Sequence, residues 1–152
     1  MDQIRKQTGR GIAYKAVELA EIMEGRPYKF GGKNRQGFDC SGFVSDIFMM
    51  LFPEKANSLS MNAQSFANSD LFETVETPKP GDIICFKATG NGPGHVGIVV
   101  DEYGWIGSQS STGVAYVLFN NAYWSKRGPT FRRYLHSSPK AIQAYLNSIA
   151  AA

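Results

Sequence analysis

Cys40 stands where a thiol can act as a nucleophile. It lies in Asp39-Cys40-Ser41-Gly42, directly before an apolar run with helical spacing. Because Asp39 and Ser41 are both helix-capping types, we expect Cys40 in the first turn of a helix. Unpaired backbone N–H groups and the helix dipole stabilise a thiolate there and lower the thiol pKa. The alternative is a small residue packed beneath a helix start, with Asp39 serving only as a cap.

His95 is placed to take the proton of such a thiol. It follows a glycine-rich loop and opens the apolar run 95–100, in which strand alternation puts His95 and Gly97 on one face. Gly97 has no side chain, so another element can approach beside the imidazole. A neutral imidazole takes the thiol proton and later returns it to a leaving amine. A structural role is the usual alternative for a strand histidine, and we assign that role to His136.

Two helical segments precede a series of short strands. Apolar residues at helical spacing predict helices over 10–24 and 43–52, which end at Gly25 and Pro53. After a polar middle region, apolar runs predict strands at 82–87, 95–100, 105–108, 114–119 and 132–135, then a terminal helix at 141–151. This order predicts an α+β fold, with N-terminal helices packed on an antiparallel sheet of about five to six strands.

The composition is that of one globular domain, residues 1–152. Hydrophobic residues make up 43% and charged residues 19%, and the net charge is +3, too mild to indicate a nucleic-acid partner. No apolar stretch has the length of a membrane span, and the N-terminus lacks the apolar segment of a signal peptide. We therefore expect a protein made in the cytoplasm without a leader.

The other thiol has a different context. Cys85 lies in the apolar run 82–86, which predicts a buried core residue rather than a disulfide partner for Cys40. Two histidines and two cysteines in separate contexts do not have the spacing of metal ligands. We expect no metal and no cofactor.

Four ordered blocks of the sequence resemble the NlpC/P60 family of cysteine peptidases. They are YKFGG at 28–32 with GFDCSGFV at 37–44, PGDIICF at 80–86, HVGIV at 95–99, and a closing pattern with Gly113-Val114 and YWSKR at 123–127 through Arg132-Arg133. The match runs from about residue 12 to 134. The resemblance implies a papain-like core, in which the helix bearing Cys40 packs on the sheet bearing His95.

The resemblance also implies roles for individual residues. Cys40 matches the nucleophile and His95 the general base. Tyr28, Asp39 and Ser41 match positions that line the substrate pocket, where a carboxylate and hydroxyls can hold a free amine and a phenol can bind an oxyanion. The alternatives are that Tyr28 packs on the first helix and that Asp39 and Ser41 only cap.

One position departs from the family pattern. The family places a third polar residue, commonly histidine, on the next strand to orient the base, and an ungapped reading puts Gly107 there. Gln109 lies two residues on, hence on the same strand face, and its carbonyl can accept from the imidazole. We predict Gln109 as the orienting residue; Ser108 or a bound water is the alternative.

The implied activity is that of a hydrolase of bacterial cell-wall peptides. Family members typically cleave peptidoglycan stem peptides, most often the bond between D-γ-glutamyl and the diamino acid. One alternative is a Cys–His acyltransferase or amidase acting on another substrate; a second is a non-catalytic binding or assembly module, which Gly107 favours. We expect a monomer delivered by a phage lysis or tail apparatus or injected as an antibacterial effector. It would act in the periplasm or cell wall, with an immunity or delivery protein as a partner.

Overall fold

The computed structural model describes residues 11–29, 32–34, 37–88 and 94–135. The predicted terminal helix at 141–151 and His136 lie outside the described residues. The helices are α1 (Gly11–Ile22), α2 (Cys40–Leu51), α3 (Ala56–Leu59) and α4 (Ala63–Asn68), with short 3₁₀ turns at Pro53–Lys55 and Trp124–Lys126. The strands are β1 (Lys33–Asn34), β2 (Gly37–Phe38), β3 (Phe72–Val75), β4 (Ile83–Phe86), β5 (His95–Val99), β6 (Gly104–Gln109), β7 (Gly113–Leu118) and β8 (Thr130–Tyr134).

Six strands form one antiparallel sheet in the order β3-β8-β4-β5-β6-β7. This confirms the predicted α+β fold and the expected number of strands. The sequence did not reveal β3, α3 and α4, which lie in the polar middle region. In β3 only Phe72 is fully buried while Glu73 and Thr74 face solvent, so its apolar pattern is too weak to predict a strand.

Helix α2 is held against one face of the sheet. Asp39 caps it, since Oδ1 of Asp39 accepts the backbone N–H of Gly42 at 2.6 Å. The helix buries Phe43, Val44, Ile47 and Phe48 in a core that includes Ile83, Val96, Ile98 and Ile106 of the sheet. The N-terminus of α2 is therefore fixed beside β5, where His95 begins its strand.

The other face of the sheet is covered as well. Ile84, Phe86, Val99 and Trp105 form a second apolar cluster. Side chains from β7, from the segment after it and from β8 pack against this cluster: Val117, Phe119, Trp124 and Phe131. Strands β4 and β5 are buried along their whole length as a result, which places His95 between two packed layers.

Candidate active site

Cys40 occupies the first position of α2, as predicted, but its thiol is not an acidic one. Burial raises its pKa above the ordinary value, and the Asp39 carboxylate raises it further. The backbone N–H groups of Val96, Ser41 and Cys40 lower the pKa, but by less than burial raises it. The prediction of a lowered thiol pKa was therefore wrong, because desolvation outweighs the favourable backbone dipoles. The thiol needs a base to lose its proton.

His95 and Gln109 are in direct contact. His95 Nε2 lies 3.1 Å from Gln109 Oε1. The amide of Gln109 is oriented by its own neighbours, because its Nε2 donates to Thr112 Oγ1 at 3.3 Å and to the Ala115 carbonyl at 3.4 Å. Oε1 therefore faces the ring and can only accept, so the imidazole proton belongs on Nε2 and Nδ1 is left as the basic nitrogen.

The environment keeps His95 uncharged. Burial lowers the pKa of the imidazole to about 4, the Gln109 hydrogen bond opposes this, and the charge of Arg127 lowers it further. A low-dielectric site disfavours the charged form of a buried base. At neutral pH the resting pair is accordingly a neutral thiol and a neutral imidazole.

Gly107 is what allows Gln109 to reach the ring. A Cβ on Gly107 would lie 2.6 Å from Gln109 Oε1 and 2.9 Å from Trp105 Cζ3, and one on Gly97 would lie 2.5 Å from Trp105 Cε3. The indole of Trp105 and the Gln109 amide fill the space that side chains at these two positions would need. Ser108 points elsewhere, since its hydroxyl donates to the Phe38 carbonyl at 2.8 Å. The alternative that Ser108 holds the imidazole is thus excluded.

Trp124 is a site residue whose role we did not predict. Its ring stacks on the His95 ring with a centroid separation of 4.4 Å and an interplanar angle of 27°. The Arg127 guanidinium carbon lies 5.2 Å from the centroid of the same indole and 5.6 Å from that of Tyr123. The YW pair in the closing block was the available signal, but a loop residue has no periodicity that would place it over His95.

One cavity of about 480 Å³ collects these groups. Its described lining contains Tyr28, Cys40, Gly94, His95, Gln109, Ser110, Ser111, Tyr123, Trp124 and Arg127. Four of the six predicted site residues are therefore brought together: Tyr28, Cys40, His95 and Gln109. Burial raises the pKa of the Tyr28 phenol, with smaller contributions from Cys40 and Asp39.

Asp39 and Ser41 are not among the described residues that line this cavity. The Ser41 hydroxyl donates to Asp39 Oδ1 at 3.3 Å, and the same oxygen caps α2. Asp39 therefore caps α2, as the alternative for this residue expected, whereas Ser41 binds the capping carboxylate and does not itself cap the helix. The carboxylate still acts at the site, since it raises the pKa values of Cys40 and Tyr28.

The other thiol lies away from the cavity. Cys85 is a free, buried thiol, and burial raises its pKa to about 12, as expected for a core residue. Within the described ranges there is no cluster of three or more histidine, cysteine or acidic side chains suited to a metal. The helices in those ranges include none with the length and apolar character of a membrane span.

The fold and the cavity together define a papain-like α+β domain, with a thiol at a helix start and an imidazole on the adjacent strand. The family model described as NlpC/P60 family matches residues 25–133. This chain belongs to the NlpC/P60 family.

Three known proteins illustrate the similarity. The chain is 39% identical over 104 residues to a "Probable endopeptidase" of Haemophilus influenzae, covering 67% of this chain and 62% of that protein. It is 31% identical over 117 residues to "Murein DD-endopeptidase MepS/Murein LD-carboxypeptidase" of Escherichia coli K12, covering 76% and 59%. An NlpC/P60 family protein from Bacillus cereus superposes with a TM-score of 0.65 at 25% identity, covering 81% of this chain and 40% of that one. The chain thus spans about three-fifths of the length of the Haemophilus influenzae and Escherichia coli relatives.

Proposed function

We propose that this protein is a cysteine endopeptidase that hydrolyses peptide bonds in the stem peptides of bacterial peptidoglycan. The observation that carries the proposal is the shared cavity. Cys40 and His95 both line it, and Gln109 Oε1 lies 3.1 Å from His95 Nε2, where it can accept the proton of the tautomer that leaves Nδ1 basic. Family membership and relatives named as endopeptidases, one of them a murein enzyme, support the choice of reaction and substrate.

The residues of the cavity suit acyl transfer through a thioester. His95 Nδ1 takes the proton of Cys40, while the Nε2–H group of the same ring remains hydrogen-bonded to Gln109 Oε1. The sulfur then attacks the carbonyl carbon of the scissile bond, and the developing oxyanion accepts hydrogen bonds from the N–H of Cys40 and the phenol of Tyr28. The imidazolium gives its proton to the leaving amine. Water, deprotonated by His95, then attacks the thioester and releases the carboxylic acid and the thiol.

A neutral resting pair has an energetic consequence. The thiol pKa is raised and the imidazole pKa is lowered to about 4, so forming the thiolate–imidazolium pair in the empty site is unfavourable. On a bound substrate the charge passes from the sulfur to the carbonyl oxygen, where the Cys40 N–H and the Tyr28 phenol can donate to it. Differential stabilisation of the transition state is what raises kcat.

For the scissile bond we propose the link between the D-γ-glutamyl residue and the diamino acid. The DD cross-link is the second candidate, because the Escherichia coli relative is named a DD-endopeptidase. Digestion of purified muropeptides followed by mass spectrometry separates the two. A new amine on the diamino acid with loss of its γ-glutamyl partner supports the first bond, and conversion of cross-linked dimers to intact monomers supports the second.

The two rival functions give other products in the same digestion. Transfer of the acyl group to an added amine would favour an acyltransferase, and bound but intact peptide would favour a binding module. The structure weakens the argument for the binding module, which rested on the missing side chain at Gly107, because Gln109 contacts His95 instead. A delivery or immunity partner, the monomeric state and action in the periplasm or cell wall stay predictions.

A further inference from the structure

A second cavity of about 480 Å³ opens beside the catalytic one, along the edge strand β7. We call it the β7 groove; it is bounded by Ser111, Tyr116, Leu118, Asn120 and Tyr123. The two cavities share four lining residues, Gln109, Ser111, Tyr123 and Trp124. A molecule with its scissile bond at Cys40 can therefore continue into the β7 groove without leaving the protein surface.

The described lining of the β7 groove carries no ionisable carboxylate, ammonium or guanidinium group. Its polar side chains are hydroxyls and carboxamides, among them Thr112, Asn120 and Asn121. The catalytic cavity differs, because it contains the cation of Arg127. Two charges stand behind the groove lining without being part of it: Asp101 Oδ1 accepts the Tyr116 hydroxyl at 2.8 Å, and the Arg127 guanidinium carbon lies 5.6 Å from the Tyr123 centroid. The lining itself therefore offers no counter-charge to the carboxylates and free amines of stem peptides. A ligand with many hydroxyl and acetamide groups and no charge is matched by this lining.

Apolar and aromatic surface is concentrated along the same groove. Three of the six large apolar or aromatic residues that are exposed in the described ranges line it: Tyr123 at 63%, Leu118 at 50% and Tyr116 at 37%. Exposed patches of this kind, rimmed by polar groups, mark binding sites. Tyrosine offers a flat apolar face with a polar tip, which suits the C–H face of a pyranose ring.

The wall that separates the groove from His95 is held in place before any ligand binds. Asn121 Oδ1 accepts the backbone N–H groups of Tyr123 and Trp124 at 3.0 and 3.1 Å. The N–H of Asn121 in turn donates to the Leu118 carbonyl at 3.0 Å. The turn that presents Tyr123 and Trp124 is thus tied to the end of β7, so little ordering cost remains for binding.

We infer that the β7 groove binds N-acetylated amino sugars of the glycan strand to which the stem peptide is attached. The identity of the ligand rests on the proposed function, because only a sugar-linked peptide would place an amino sugar next to Cys40. The groove would make the enzyme prefer peptides that still carry their disaccharide over free peptides. A second, cross-linked stem peptide is the competing occupant.

Binding is tested without catalysis. The β-1,4-linked tetramer of N-acetylglucosamine is titrated into ¹⁵N-labelled Cys40→Ala protein while amide and indole chemical shifts are followed. We expect shifts at Ser111, Leu118, Asn120 and Trp124, with a dissociation constant of about 1 mM. Leu118→Ala/Asn120→Ala should weaken binding at least about fivefold, roughly 1 kcal/mol. Tyr103→Ala is the matched control: Tyr103 is 64% exposed beside β7 but does not line the groove.

Turnover supplies the second arm. Wild-type enzyme should cleave a disaccharide tetrapeptide with a kcat/KM about fivefold or more above that of the free tetrapeptide, mainly through KM. Leu118→Ala/Asn120→Ala should remove this advantage and leave cleavage of the free peptide unchanged.

Equal turnover of both substrates with unshifted groove amides would refute the sugar site and leave the proposed function standing. Chemical-shift changes in the groove caused by free tetrapeptide, and not by the tetrasaccharide, would refute the sugar site and indicate that the groove binds a second peptide. Sugar binding without cleavage of any peptide would refute the proposed function but not the sugar site.

Discussion

The Nε2 atom of His95 and the Oε1 atom of Gln109 lie 3.1 Å apart inside a site where the imidazole is only 7% exposed. The contact joins β5 to β6 across the space left by Gly107. It fixes which ring nitrogen carries the proton, and it does so with an amide that cannot ionise. Gln109 therefore orients the His95 ring without supplying a negative charge that would stabilise the imidazolium form.

Removal of that partner should impair catalysis more than binding. Without Oε1 the ring can take either tautomer, so Gln109→Ala should lower kcat by about 10- to 1,000-fold with KM little changed. This is milder than the roughly 10⁴-fold loss when a charged orienting residue is neutralised in a serine-protease triad. Steady-state kinetics on a stem peptide measure it. Gln64→Ala, an exposed glutamine on α4, should behave as wild type; a kcat unchanged in Gln109→Ala would contradict the assignment.

Gly107 should tolerate no side chain. The Cβ of Gly107→Ala would meet Gln109 Oε1 at 2.6 Å and the Trp105 ring at 2.9 Å, so one of them has to move. We expect a loss of about 1–3 kcal/mol in the free energy of unfolding, as for other overpacked cores, and a lower kcat. Urea unfolding and kinetics on the same preparation measure both. A variant with wild-type stability and kcat would show that the contacts are not tight.

Trp124 should act as a positioning residue that shields the base from water. Trp124→Leu keeps an apolar side chain but removes the stack on His95, so water enters and the imidazole pKa rises from about 4 toward its ordinary value. The acidic limb of the kcat/KM profile should then move to higher pH. The control is Tyr103→Phe, since Tyr103 is exposed and does not line the catalytic cavity. An unmoved acidic limb in Trp124→Leu would reject the shielding role.

The lowered pKa of His95 also makes folding depend on pH. The unfolded imidazole titrates near 6.5 and the folded one near 4, so between these values the unfolded state binds more protons. The stabilisation is complete above pH 6.5 and is lost as the pH falls toward 4, by about 3 kcal/mol at most. His95→Gln removes this titration. The difference in unfolding free energy between wild type and His95→Gln should therefore shrink or reverse from pH 7 to pH 4.5; a constant difference would contradict the shift.

Much of the site was predictable because its signals are local. The cap before Cys40, the strand that starts at His95, and the two-residue alternation that puts Gln109 on the face of Gly107 are all properties of short segments. The stack of Trp124 on His95 joins a loop to a strand 29 residues earlier in the sequence, and no local pattern encodes that. The raised thiol pKa of Cys40 was missed for a related reason, since desolvation depends on packing from α2 and β5 together.

The two thiols supply the most direct test of the central claim, that Cys40 is the nucleophile of a peptidoglycan hydrolase. Purified muropeptides are digested with wild type, Cys40→Ala and the matched variant Cys85→Ala, and the products are identified by mass spectrometry. We predict stem-peptide cleavage by wild type and by Cys85→Ala, whose thiol is buried with a pKa of about 12, and none by folded Cys40→Ala. Cleavage by Cys40→Ala, or intact muropeptides after incubation with wild type, would contradict the account.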